Sequence, residues 1–154
     1  MNSSDISHLV DLIRRSAHVF LVGNGGSWAN ALHMANDLLA CGVRAYTLDP
    51  ATLTASANDY GYETVFARWI ETVGEPEDLL IAMSGSGKSP NILNAISAAE
   101  ARGMTVYRIF GNERGEDMQQ AEESQIKICH QLRAALLKPR GREYRIGEGE
   151  EGME

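Results

Sequence analysis

The sequence predicts an α/β fold built on a parallel sheet, and three observations predict it. Short apolar runs rich in strand formers alternate with longer stretches of helical periodicity. Two glycine- and hydroxyl-rich turns, at 23–27 and 84–89, each follow such a run and precede such a helix. Strands separated by helices need crossover connections, and these set neighbouring strands parallel with helices packed on the sheet.

In chain order, Ile6, Leu9, Val10 and Ile13 recur at helical spacing and give an amphipathic opening helix that ends near Arg14 and Arg15. The run 18–22 is a first strand, broken by the loop Gly23-Asn24-Gly25-Gly26-Ser27. From Trp28 to Leu39 the apolar positions describe a helix whose other face carries Asn30, His33 and Asp37, and Gly42 stops it. Residues 44–48 read as a second strand closed by Asp49-Pro50. A polar stretch through Thr52, Thr54, Ser56, Asn58 and Asp59 leads to a helix over about 63–73. A third strand at 79–83, the Ser84–Ser89 turn, an Ala-rich helix over 92–101 and a fourth strand at 104–110 follow. Asp117 to Glu123 reads as a short helix or turn, and 125–129 alternates as a half-buried fifth strand would. The expected organisation is one domain over 1–138, with 139–154 a disordered acidic tail containing Gly147-Glu148-Gly149-Glu150-Glu151-Gly152.

With 154 residues and 44% hydrophobic content the chain can bury one good core. A formal net charge of −7 opposes a nucleic acid or an anionic membrane as the main partner, so an anionic ligand must be held by local N–H groups and hydroxyls. No apolar run approaches a membrane span or a signal-peptide core, which makes a cytoplasmic location the expectation. Cys41 and Cys129 lack metal-type spacing and are expected as reduced thiols.

The turn Ser84-Gly85-Ser86-Gly87-Lys88-Ser89-Pro90-Asn91 carries the chemistry most openly. A strand-to-helix turn aims backbone N–H groups, hydroxyls and the positive end of a helix dipole at one point, which suits a phosphate. The glycines of the turn are too close together for the nucleotide-hydrolase P-loop, which needs four residues before its Gly-Lys-Ser/Thr. An ordinary turn with a serine cap accounts for one serine here, not for Ser84, Ser86 and Ser89 together.

Taken together, Gly23-Asn24-Gly25-Gly26-Ser27 with His33 and Asp37, then Ala57-Asn58-Asp59-Tyr60-Gly61-Tyr62, then the Ser84–Asn91 turn resemble the sugar isomerase (SIS) domain, within it the phosphoheptose isomerase group. That resemblance implies a three-layer, Rossmann-like sandwich with five parallel strands between helices, assembled as a homodimer or homotetramer with sites shared between subunits. It implies a sugar phosphate as ligand, with the phosphate on Ser84, Ser86 and Ser89, the sugar beside Asn24, Gly25 and Ser27, and Asn58 and Asp59 alongside. Gly85 stands where the family commonly has Thr and Lys88 where it has Asn, so the phosphate contacts are altered.

The family's aldose–ketose interconversion moves protons through an enediol, using a Glu on the helix after the first loop and a His on the closing helix. Asp37 occupies the Glu position, one methylene shorter. His130 is the one histidine downstream and is assigned the second role, although the strand reading of 125–128 puts it at a strand's end. His33 matches a histidine that ligates zinc in some members. No cofactor is required, and zinc on His33 is the metal the resemblance allows. His33 and Asp37, at i and i+4, could equally share a proton or form a solvated surface pair. Two functions compete with an isomerase: a non-catalytic SIS module that senses sugar phosphates or works through protein contacts, and a nucleotide-binding Rossmann domain. The last lacks the third glycine of G-x-G-x-x-G.

Overall fold

Four parallel strands form the sheet in the order β2-β1-β3-β4, with helices on both faces. The computed structural model describes residues 3–111 and 117–137. Its elements are α1 (Ser3–Arg15), β1 (Val19–Val22), α2 (Gly26–Ala40), β2 (Ala45–Thr47), α3 (Pro50–Tyr60), a 3-10 turn (Tyr62–Thr64), α4 (Val65–Val73), β3 (Leu79–Ser84), α5 (Pro90–Ala101), β4 (Thr105–Phe110) and α6 (Met118–Leu136).

Alternation along the central strands builds two cores. Val19, Leu21, Leu79, Ile81 and Met83 point to one face and pack with α1, α2 and α6; Phe20, Val22, Leu80 and Ala82 point to the other and pack with α4 and α5. The apolar stripe of α1 is fully used here, since Ile6, Leu9, Val10 and Ile13 are buried in the first core. At the amino ends of the strands, buried Asp78 accepts the backbone N–H groups of His18 (3.0 Å) and Glu75 (2.9 Å), and its Oδ1 lies 2.9 Å from His18 Nδ1. A carboxylate can stay buried there because its oxygens are occupied.

Two expectations are corrected. The sheet has four strands, not five, among the described residues, because 125–129 lie inside α6. The buried positions of that helix, Ala121, Gln125, Ile128, Cys129 and Leu132, keep helical spacing, but the stripe contains a buried glutamine. A polar residue at an inward position hides the period of the stripe. The second correction is α3, expected as a polar stretch. It is a helix with no buried residue, started by Asp49, whose Oδ1 accepts the Thr52 N–H at 2.9 Å, and by Pro50 in the first turn. The segments 112–116 and 139–154, the latter expected as an acidic tail, lie outside the described residues.

Candidate functional site

In an open parallel sheet a ligand crevice forms at the carboxyl ends of the strands where the order reverses. Here β1 connects to β2 on one side and β3 to β4 on the other, so the reversal lies between β1 and β3. The loop after β1 and the loop after β3 are the two glycine-rich turns.

In the second loop, Ser84 is buried at the end of β3 and its Oγ accepts the Gly87 N–H at 3.0 Å. Ser86 Oγ accepts the Lys88 N–H at 3.2 Å. Ser89 holds the N-cap position of α5 without a side-chain capping bond, and Pro90 follows at the first helical position. The loop thus curls around its own hydroxyls and leaves the amino end of α5 open to an anion. Gly87 has φ 65°, a backbone only glycine adopts without strain. Gly85 is closely covered by Met118 of α6, which a side chain at that position would strike.

Asn24 and Asn91 join the two loops. Their amides exchange two hydrogen bonds, each 2.8 Å, and Tyr62 Oη donates to Asn24 Oδ1 at 2.7 Å. Gly25 is exposed beside them. Ser27, expected at the sugar, is buried under α6, where its Oγ accepts Gln125 Nε2 at 3.0 Å. Asn30 Nδ2 completes that network by donating to Gln125 Oε1 (3.0 Å) and to the Glu122 carbonyl (2.9 Å). Asn58 and Asp59 are exposed on the last turn of α3 and bond to each other at 2.9 Å, with no bond to either loop. Tyr62, three residues on, makes the contact instead. Its signal in the sequence was its place in the Asn58–Tyr62 motif.

Farther along α2 is a second centre. His33 Nε2 lies 3.2 Å from Asp37 Oδ2, Arg133 Nη1 lies 3.3 Å from Asp37 Oδ1, and the His33 and His130 rings stand edge to face at 5.3 Å. His130 is therefore on the closing helix, not at a strand's end, and α6 delivers it to Asp37. The Asp37 side chain is 3% exposed, so it has lost its water. His33 Nε2 and Asp37 Oδ2 are both buried without a well-aligned hydrogen bond. Two electron-rich atoms at that separation call for a proton or a cation between them. Burial, reinforced by the nearby Asp37 charge, pushes the Cys129 thiol up to about 12, and burial raises Cys41 as well, so both thiols stay protonated.

Zinc fits the residues present. The ligand atoms of His33, Asp37 and His130 lie within 4.8 Å of one another, and two imidazoles with a carboxylate form a donor set that zinc accepts. The two orphaned atoms belong to two of those three residues. Asp37 stands eleven residues beyond Gly26 on α2, about 16 Å along the helix axis. The glycine-rich loop after β1 and the His–Asp cluster are thus separate along α2.

The SIS domain family matches residues 4–111 of the chain. The chain belongs to the SIS domain family. This SIS chain is 39% identical over 129 residues to a phosphoheptose isomerase of Thiobacillus denitrificans, covering 79% of this chain and 66% of the relative. It is 44% identical over 112 residues to a phosphoheptose isomerase of Burkholderia pseudomallei, covering 68% of this chain and 57% of that one. It therefore spans under two thirds of the length of these relatives. A solved phosphoheptose isomerase structure from Francisella tularensis superposes with a TM-score of 0.80 at 26% identity, covering 87% of this SIS chain and 85% of that chain. No helix among the described residues is long and apolar enough to cross a membrane.

Proposed function

We propose that the chain is a cytoplasmic sugar-phosphate isomerase of the phosphoheptose type, acting by proton transfer through an enediol. The observation that carries this reading is the meeting of His130 with Asp37 and His33 on facing helices, which supplies the pair of proton-transfer groups that the reaction needs. The sugar phosphate would bind with its phosphate on the hydroxyls of Ser84, Ser86 and Ser89 and the amino end of α5. Asn24, Gly25, Asn58, Asp59 and the hydroxyl of Tyr62 line the side toward the sugar, with Ser27 supporting the loop from beneath.

In this reaction a carboxylate takes the proton from the carbon beside the carbonyl while an acid protonates the carbonyl oxygen, giving the enediol. Returning a proton to the former carbonyl carbon and removing one from the hydroxyl of the carbon first deprotonated completes the exchange of aldose and ketose. Asp37 is the base on this reading and His130 the partner that manages the oxygen proton. Zinc held by His33, Asp37 and His130 would polarise the carbonyl as a Lewis acid.

The separation along α2 between the loop after β1 and the cluster supports assembly into a homodimer or homotetramer, in which a second copy brings its own cluster to this crevice. Leu32 and Leu39, 45% and 64% exposed on one face of α2, offer an apolar surface next to the cluster for that contact. The deciding experiment incubates the protein with seven-carbon ketose phosphates in deuterated water and follows exchange at the carbons flanking the carbonyl by NMR. Exchange with these and not with the unphosphorylated sugars is the expected result. Binding without any exchange, with or without added zinc, would instead establish a non-catalytic sugar-phosphate module.

A further inference from the structure

The Asp37 carboxylate meets a different partner at each oxygen. Oδ2 faces His33, Oδ1 is 3.3 Å from Arg133 Nη1, and His33, Asp37 and His130 form one cluster. The carboxylate is 3% exposed and the arginine 51% exposed, so the buried charge is compensated from the rim of the site. A guanidinium cannot lose its charge, so this compensation holds at every working pH. The influence of this charge extends beyond Asp37: it opposes the effect of burial on the Cys41 thiol.

A divalent metal bound by two neutral imidazoles and one carboxylate gains from the carboxylate's charge. With Arg133 in place, carboxylate and guanidinium cancel, and an arriving zinc ion meets a cluster of no net charge. Without it, zinc meets a net negative one. A second effect has the opposite sign. Groups that orient a ligating carboxylate strengthen metal binding, and losing one typically weakens it by about 10–100-fold. The direction in which zinc affinity moves therefore separates the two roles.

We propose that Arg133 is the resident cation of this cluster: it supplies from the protein the positive charge that a metal would otherwise bring to Asp37, and it thereby holds zinc affinity down. Arg133 is thus a positioning residue that acts through Asp37, the proposed proton-transfer base. The catalytic part of this statement rests on the isomerase reading. The electrostatic part does not.

Titration of the full chain with zinc chloride by isothermal calorimetry near neutral pH tests it. Arg133→Gln keeps a hydrogen-bond donor and removes the charge, and should bind zinc at least about tenfold tighter than the unmodified protein, about 1.4 kcal/mol. Arg133→Met should show the same gain if the glutamine variant does not fold. Arg133→Lys retains a charge and should stay within about threefold of the unmodified protein by the same scale. Adding His33→Ala to the uncharged variant should erase the gain. Zinc affinity that is unchanged or lower in the uncharged variants overturns the proposal, as does a lysine variant that binds like the glutamine one, or a gain that survives His33→Ala. A protein that follows the expected zinc pattern yet exchanges no substrate proton would refute the isomerase reading and leave the role of Arg133 standing.

Discussion

Asn24 and Asn91, 67 positions apart, pair amide to amide across the mouth of the crevice, each donating to the other at 2.8 Å. The pair joins the loop after β1 to the start of α5. Asn91 is 2% exposed and has no water to fall back on. Replacing it with alanine removes both bonds and should cost about 1–3 kcal/mol of folding stability. Urea unfolding of Asn91→Ala checks this, and a midpoint equal to that of the unmodified protein would mean the pair contributes nothing.

Ser86 is the exposed hydroxyl of the Ser84–Ser89 turn and supports only a local bond to the Lys88 N–H. Ser86→Ala should therefore leave the melting temperature nearly unchanged while weakening sugar-phosphate binding by about 1.5–3 kcal/mol, the range for a charge-assisted hydrogen bond. Calorimetry with a sugar phosphate measures it, and undiminished affinity would remove the phosphate from this loop.

Asp37→Asn keeps the shape of the side chain and removes its charge. Proton exchange should fall by about a hundredfold or more, within the range for general acid–base groups. Asp37→Glu extends the reach by one methylene; if length limits the reaction, exchange should rise. Rates measured by deuterium incorporation decide between these outcomes.

Cys129 ties stability to alkaline pH. Its thiol ionises near 9.0 when unconstrained and only at about 12 in the fold, with burial as the main cause. A raised folded value means that the unfolded chain loses its proton first, so this contribution is intact below about pH 9 and is lost as pH climbs toward 12. Cys129→Ala should flatten that alkaline loss relative to the unmodified protein, as urea midpoints across the range would show.

Leu32 and Leu39 supply the assembly test. The unmodified chain should scatter light as a dimer or larger at micromolar concentration, and Leu39→Glu should shift it toward a monomer, because a charge in an apolar contact loses its water. A monomeric unmodified chain would contradict the shared site.

The strands, the two loops and the position of Asp37 were legible because each rests on local pattern: apolar runs, glycine punctuation and helical spacing. α3 was not, since a helix that buries nothing has no stripe to read, and its evidence was the Asp49-Pro50 start, taken for a strand terminator. α6 was missed for the converse reason. Gln125 is buried only because Ser27 and Asn30, almost a hundred positions away, satisfy its amide, and no local window contains that fact. The same misreading hid the support for His130 and left Arg133 without a role. Asn24, Ser84 and Ser89 were singled out by residue type, whereas the bond from Tyr62 to Asn24 needed the fold.

The contacts between α2 and α6 fall in the same order along both helices: Ser27 and Asn30 with Gln125, His33 with His130, Asp37 with Arg133. The two helices thus run side by side in one direction, and polar pairs, as well as the apolar side chains between them, set how far one is advanced against the other. Inserting a single residue in α6 just before Gln125 would turn everything after it by about 100° and advance it by about 1.5 Å. Every one of these pairs would then be mismatched together, while most of the hydrophobic content of the helix stayed the same. Length, more than composition, is what this helix cannot change.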